Sequence, residues 1–163
     1  MTERQKQIEL LLRRTILHFN KKEQYLLKNH LCERCICARF AMYLERTISR
    51  SIFYDYTTDI EYDKGMGGND YGKKKVFGHD AYLDLIAHKR GYDDIIGYDN
   101  LFAVEFKWQG NDFDQDKERL RALVDNENGF GYSAGFAIRI CYDPANSIGR
   151  LIIEDSYYND NDF

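Results

Sequence analysis

With 163 residues, 44% of them hydrophobic and 15% aromatic, the chain is too rich in core-forming side chains to be disordered and large enough to bury one core. No apolar run approaches the roughly 18 residues of a membrane span, and a net charge of −4 argues against an indiscriminate nucleic-acid binder. The charge is uneven, however: residues 1–50 carry eleven Lys/Arg against five Asp/Glu, and residues 51–163 carry twelve against 22. That division suits a protein that grips phosphates on one side and holds a cation on the other, or it is two solvated surfaces.

Met1-Thr2-Glu3-Arg4 has no signal-peptide core, so a soluble, cytoplasmic protein is expected. Ile8, Leu11, Leu12, Ile16 and Phe19 form an amphipathic stripe over residues 2–19, opened by Thr2 and Gln5 in the form of a capping box. A second helix is predicted over about residues 29–49. Its stripe runs Glu33, Ile36, Cys37, Phe40, Leu44 and Ile48, with a glutamate where packing calls for an apolar residue. Glu33 is either a first-turn acid favoured by the helix dipole or a functional carboxylate. Glu45 is expected to face solvent. Cys32, Cys35 and Cys37 lack a second Cys/His pair at ligand spacing and read as buried thiols rather than a zinc site.

Ile52–Tyr56 and Thr57–Tyr62 alternate as an extended strand or strand pair. The glycine-rich stretch 65–72 matches no phosphate-binding motif and reads as a hairpin or lid before Lys73-Lys74-Lys75. Two core strands follow, Leu83–His88 and Leu101–Trp108, joined by a polar turn over residues 91–100. A charged amphipathic helix over Asp116–Val124, a strand over Phe136–Ile140 and an edge strand at Leu151–Glu154 complete the pattern, with Tyr157–Phe163 as a frayed tail. The fold class is mixed α/β (α+β): a central mixed sheet flanked by helices in one domain. Its parts are an N-terminal helical extension (1–28), a core (29–155) and a polar tail (156–163).

The second core strand carries the chemistry. Alternation puts Glu105 and Lys107 on one face beside Leu101 and Ala103, inside a nearly continuous apolar run. Charges in such a place need a partner or a metal. Asp84, opening the neighbouring strand, supplies a second carboxylate, with Asp80 as a rival one step earlier on the same strand face. Two carboxylates suit a hard cation such as magnesium or manganese, and a lysine beside them can act at a phosphoryl centre. His88 reads as a strand-end histidine outside the site.

At these residues the sequence resembles the PD-(D/E)XK nuclease superfamily: Leu83-Asp84, then Glu105-Phe106-Lys107, with Glu33 on the preceding helix. It is most similar to the small stand-alone members. Their pattern is matched by Asp84-Leu85-Ile86-Ala87, His88-Lys89-Arg90-Gly91, Asn100-Leu101, Glu105-Phe106-Lys107 and Asp116-Lys117-Glu118-Arg119-Leu120, with Glu61-Tyr62-Asp63 on the first strand. The likeness spans about residues 31–140. Leu83 replaces the motif proline, and Arg119 stands where a lysine is usual, keeping charge but not geometry.

The resemblance implies a restriction-endonuclease-like αβββαβ core with an extra N-terminal helix. It implies a magnesium- or manganese-dependent nuclease acting on DNA more than RNA, with Asp84, Glu105 and Glu33 holding the metal and Lys107 at the attacked phosphate. Without a reading module, specificity would come from a homodimer or a protein partner. The alternative is a catalytically silent nuclease-fold subunit that binds nucleic acid or a protein.

Overall fold

Thr2 begins the first helix with a reciprocal cap: its hydroxyl accepts from the Gln5 N–H (3.2 Å) and the Gln5 side chain accepts from the Thr2 N–H (2.8 Å). Helix α1 (Glu3–Lys22) buries the expected stripe together with Gln5 and Thr15. Glu23 alone separates it from a short α2 (Gln24–Lys28), which the periodicity does not announce. Helix α3 (Glu33–Ile48) starts four residues later than expected and buries Ile36, Cys37, Phe40, Leu44 and Ile48. Ring contacts then run inward: Phe19 lies 5.6 Å from Phe40, and Phe40 lies 5.3 Å from Phe106 in the sheet.

The computed structural model describes residues 1–62, 75–76, 79–80, 82–90, 99–125 and 130–160. The glycine-rich loop 65–72, Lys73 and Lys74, most of the polar turn 91–100, Gly129 and residues 161–163 lie outside the described residues. Strand β1 (Thr57–Tyr62) is followed by a separate two-stranded ladder of β2 (Lys75–Val76) and β3 (His79–Asp80). Then come β4 (Leu83–His88), β5 (Asn100–Trp108), helix α4 (Asp114–Val124), β6 (Ala134–Asp143) and β7 (Ile148–Tyr158).

The main sheet has five strands in the order β1-β4-β5-β6-β7. Neighbours are antiparallel except β5 and β6, which are parallel because α4 carries the chain back between them. One apolar cluster joins α1, α2 and α3 to the sheet, and a second joins α4 to it. The mixed α/β class expected from sequence is therefore present, with helices in front of and behind a mixed sheet.

Four local expectations need correction. Residues 52–56 are a turn rather than a strand, because Phe53 and Tyr56 are both buried, ring to ring at 5.9 Å, and the Tyr56 N–H donates to Phe53 O. Asp80 belongs to β3, paired with Lys75, and so does not share a strand with Asp84 of β4. A bulge in β5, where His88 pairs with Asn100 but Ala87 with Phe102, makes Leu101 an extra residue. Leu101 accordingly packs with the α1–α3 cluster, while Ala103 packs with the α4 cluster. Finally, β7 continues to Tyr158, whose hydroxyl donates to Glu9 (2.8 Å), so the first residues of the expected tail are strand.

The outer edge of β7 is closed by side-chain amides. Asn20 donates to Leu151 O (3.0 Å) and accepts from Leu151 N–H (2.7 Å). Gln24 does the same at Gly149, at 2.7 and 3.0 Å. This brings α2 so close that a Cβ on Gly149 would stand 2.2 Å from Leu27 Cβ. The Gly149→Ala variant must therefore push α2 away and is expected to lose about 1–3 kcal/mol, measured as a lower urea midpoint with unchanged slope.

Candidate functional site

Asp84 and Glu105 face each other across the antiparallel β4–β5 pair, by continuation of the Leu85–Val104 register. Directly opposed residues share a face, so the two carboxyl groups meet on the α4 side. Glu105 is only 2% exposed. One of its oxygens receives the Asp84 N–H (3.4 Å) and the other the Arg119 guanidinium (2.6 Å). An Asp84 oxygen accepts from the Phe106 N–H (2.8 Å).

These contacts do not pay for two adjacent buried charges. Burial, and then the Asp84 charge, push Glu105 well above the usual carboxylate range despite Arg119. Burial also raises Asp84, offset in part by the Phe106 N–H and by a hydrogen bond from Glu105. Glu105 is thus the member of the pair that most favours its protonated form.

Helix α4 answers β5 charge for charge. Asp116 and Arg119, one turn apart, reach Lys107 (2.8 Å) and Glu105 (2.6 Å), and pair with each other at 3.3 Å. Burial pulls the Lys107 ammonium down, but Asp116, with help from Glu33 and Asp84, holds it above its ordinary value. Glu33 stands at the first turn of α3. Its carboxylate accepts from the Trp108 N–H at the end of β5 (3.0 Å) and lies 4.0 Å from the Lys107 ammonium. The Trp108 indole donates to Leu31 O (3.1 Å), which fixes the start of α3 against this strand.

Glu33 and Asp84 also line a cavity of about 180 Å³ with Arg34, Cys37, Ile60 and Glu61. Glu61 has a left-handed backbone, φ 49°, at a point where Ile60 and Tyr62 pair with Leu85 and Leu83 but Glu61 itself does not. Its carboxylate meets Arg34 at 2.6 Å. Beneath the cavity, the buried Cys37 thiol donates to Asp84 O (3.0 Å). Burial and the Asp84 charge keep that thiol protonated.

The four residues expected from sequence therefore gather at one end of β4 and β5, but not as three carboxylates around one point. Among the described residues no group of three or more His, Cys, Asp and Glu side chains could hold a metal ion. Asp84 and Glu105 form a carboxyl pair, whereas Glu33 is turned toward Trp108 and Lys107. Asp116 and Glu61 are the acids that sequence reading did not assign to the site. Asp116 carried a signal in its helical spacing from Arg119, and Glu61 in its place on the first strand. His88 lies outside the group, with Nε2 2.7 Å from Asp59, which Arg90 also grips through two nitrogens. The thiols divide as well. Cys37 is buried as expected, but Cys32 and Cys35 are exposed, with their sulfurs 3.0 Å apart.

A raised carboxyl pKa in the folded state stabilises below the unfolded value, and that stabilisation is lost as pH rises through the folded value. Glu105→Gln removes the titration. Between pH 4 and pH 8 the variant should gain stability relative to wild type, read from paired urea melts at each pH. Native iodoacetamide treatment should modify Cys32 and Cys35 and spare Cys37, as mapped by mass spectrometry. No protein-family model, no curated protein and no solved structure matches the chain.

Proposed function

We propose that this chain is a divalent-metal-dependent nuclease of the PD-(D/E)XK kind, hydrolysing phosphodiester bonds in nucleic acid, DNA more than RNA. The observation that carries this reading is the Asp84–Glu105 pair, opposed across β4 and β5 on the α4 side, where burial and the Asp84 charge raise Glu105 and burial raises Asp84. A hard cation fits the same need, since two carboxylates plus water and substrate oxygens form an ordinary magnesium or manganese environment. Asp84 and Glu105 would hold it, and when bound it would neutralise phosphoryl charge and lower the pKa of a bound water.

The chain's own residues supply the rest. Lys107, charged and two residues beyond Glu105, offers an ammonium to a phosphate oxygen. Glu33, hydrogen-bonded to the strand that carries Lys107, orients that lysine or a water. The element order also agrees with an αβββαβ core: α3, the antiparallel run β1-β4-β5, the crossover α4 and the parallel β6.

One observation favours a second reading, a silent nuclease-fold subunit that binds nucleic acid or a partner protein. Arg119 and Asp116 already pair with Glu105 and Lys107, so the charged strand has a structural use without metal. Labelled single- and double-stranded DNA and RNA, incubated with magnesium or manganese and then with EDTA, separate the two. Cleavage should require the metal and fall a hundredfold or more in Lys107→Ala, about the loss of one transition-state charge contact. Cleavage that survives both EDTA and the substitution would overturn the assigned site. Binding without any cleavage, equal in wild type and Lys107→Ala, would establish the silent subunit instead.

A further inference from the structure

The far end of α3 carries a second feature that the chemistry of Glu105 does not use. A groove of about 640 Å³ opens between α1, the last turn of α3 and the turn that follows it. Arg14, His18, Arg46 and Arg50 line it, and no carboxylate does among the described residues. In a chain with four more acidic than basic residues, that segregation is not the average surface. None of the three arginines has an ion-pair partner among the described residues. Glu45, next to Arg46 in sequence, is turned away to the Thr58 N–H (2.9 Å) and hydroxyl (2.6 Å).

The groove also shows aromatic and aliphatic surface. Tyr54 and Ile52 line it while remaining 72% and 69% exposed. Free guanidinium groups beside an uncovered ring are the two parts of a single-strand nucleic-acid site: charge for the phosphates and a flat face for an unstacked base. A duplex offers no unstacked base to Tyr54, and a lipid surface would not call for a concave, arginine-lined shape.

We propose that this groove binds single-stranded nucleic acid, with Arg14, Arg46 and Arg50 on successive phosphates and a base stacked on Tyr54. From Glu33 to Arg46, α3 spans about 20 Å at 1.5 Å per residue. The groove goes beyond the nuclease reading and does not depend on it, because binding here needs no metal.

The test is fluorescence anisotropy of a labelled 20-nucleotide oligo(dT), with EDTA present throughout so that hydrolysis cannot contribute. Each single-strand phosphate contact contributes about −0.7 to the slope of log K against log salt. Arg14→Gln/Arg46→Gln/Arg50→Gln should therefore weaken binding more than tenfold at low salt and flatten the slope by about 2. Tyr54→Ala should weaken binding roughly tenfold with the slope unchanged, as loss of one stacked base does. Should the triple variant melt early by circular dichroism, Arg50→Gln alone must flatten the slope by about 0.7.

Wild-type protein that does not bind, or variants that bind as wild type does, would overturn the proposal. So would a matched duplex or phosphatidylserine vesicles held as tightly through the same arginines, since the occupant would then be a different one. Because the assay contains no metal, absence of cleavage elsewhere leaves its outcome unaffected.

Discussion

The structure turns on one buried carboxylate, Glu105, placed in the middle of the most deeply covered strand. Burial alone would keep it neutral, and the opposite carboxyl of Asp84 makes its charge still less welcome. The groups packed around it offset that cost only in part. Arg119 reaches in from α4, the Asp84 N–H closes on the other oxygen, and Asp116 balances both Arg119 and Lys107. A core strand carries such a burden only where a neighbouring element is shaped to match. Here β5 presents acid and base two residues apart, and α4 presents base and acid three residues apart. The crossover helix is thus fixed to the sheet by charge as well as by Leu120 and Leu123.

Much of this was legible in the sequence because it rests on local periodicity. The Thr2 cap, the buried stripe of α3 and the placing of Glu105 and Lys107 on one strand face all follow from residue spacing. What escaped was set by contacts between distant segments. The β5 bulge moved Leu101 to the other cluster, which strict alternation does not foresee. Residues 52–56 alternate like a strand, yet the pull of Phe53 and Tyr56 into the core folds them into a turn. Asp80 was a rival for Asp84 only while both were assigned to one strand. Glu33 sat on the right stripe, but the stripe says nothing about the Trp108 N–H that captures its carboxylate. Asp116 and Glu61 needed the tertiary fold, since only the packing of α4 on β5 and the Arg34–Glu61 contact bring them to the site.

Helix α3 joins the two regions of interest through a single rigid element. Its first turn carries Glu33 and rests against the end of β5. Its last turn carries Arg46 beside Arg14 of α1. The tilted and edge-on rings of Phe19, Phe40 and Phe106 hold this helix between α1 and the sheet. Movement of one end relative to β5 would disturb that ring contact, so the spacing between Glu33 and Arg46 is as firm as the core itself.

The amides of Asn20 and Gln24 have a consequence for assembly. They occupy the outward-facing peptide groups of Leu151 and Gly149 in the way a sixth strand would, so the sheet ends there by mimicry rather than by charge repulsion. At the other margin, Glu45 takes the Thr58 N–H of β1. Each border of the sheet thus has peptide groups bound by side chains borrowed from helices. A strand from a second copy could pair along Gly149, Leu151 or Thr58 only after displacing these side chains.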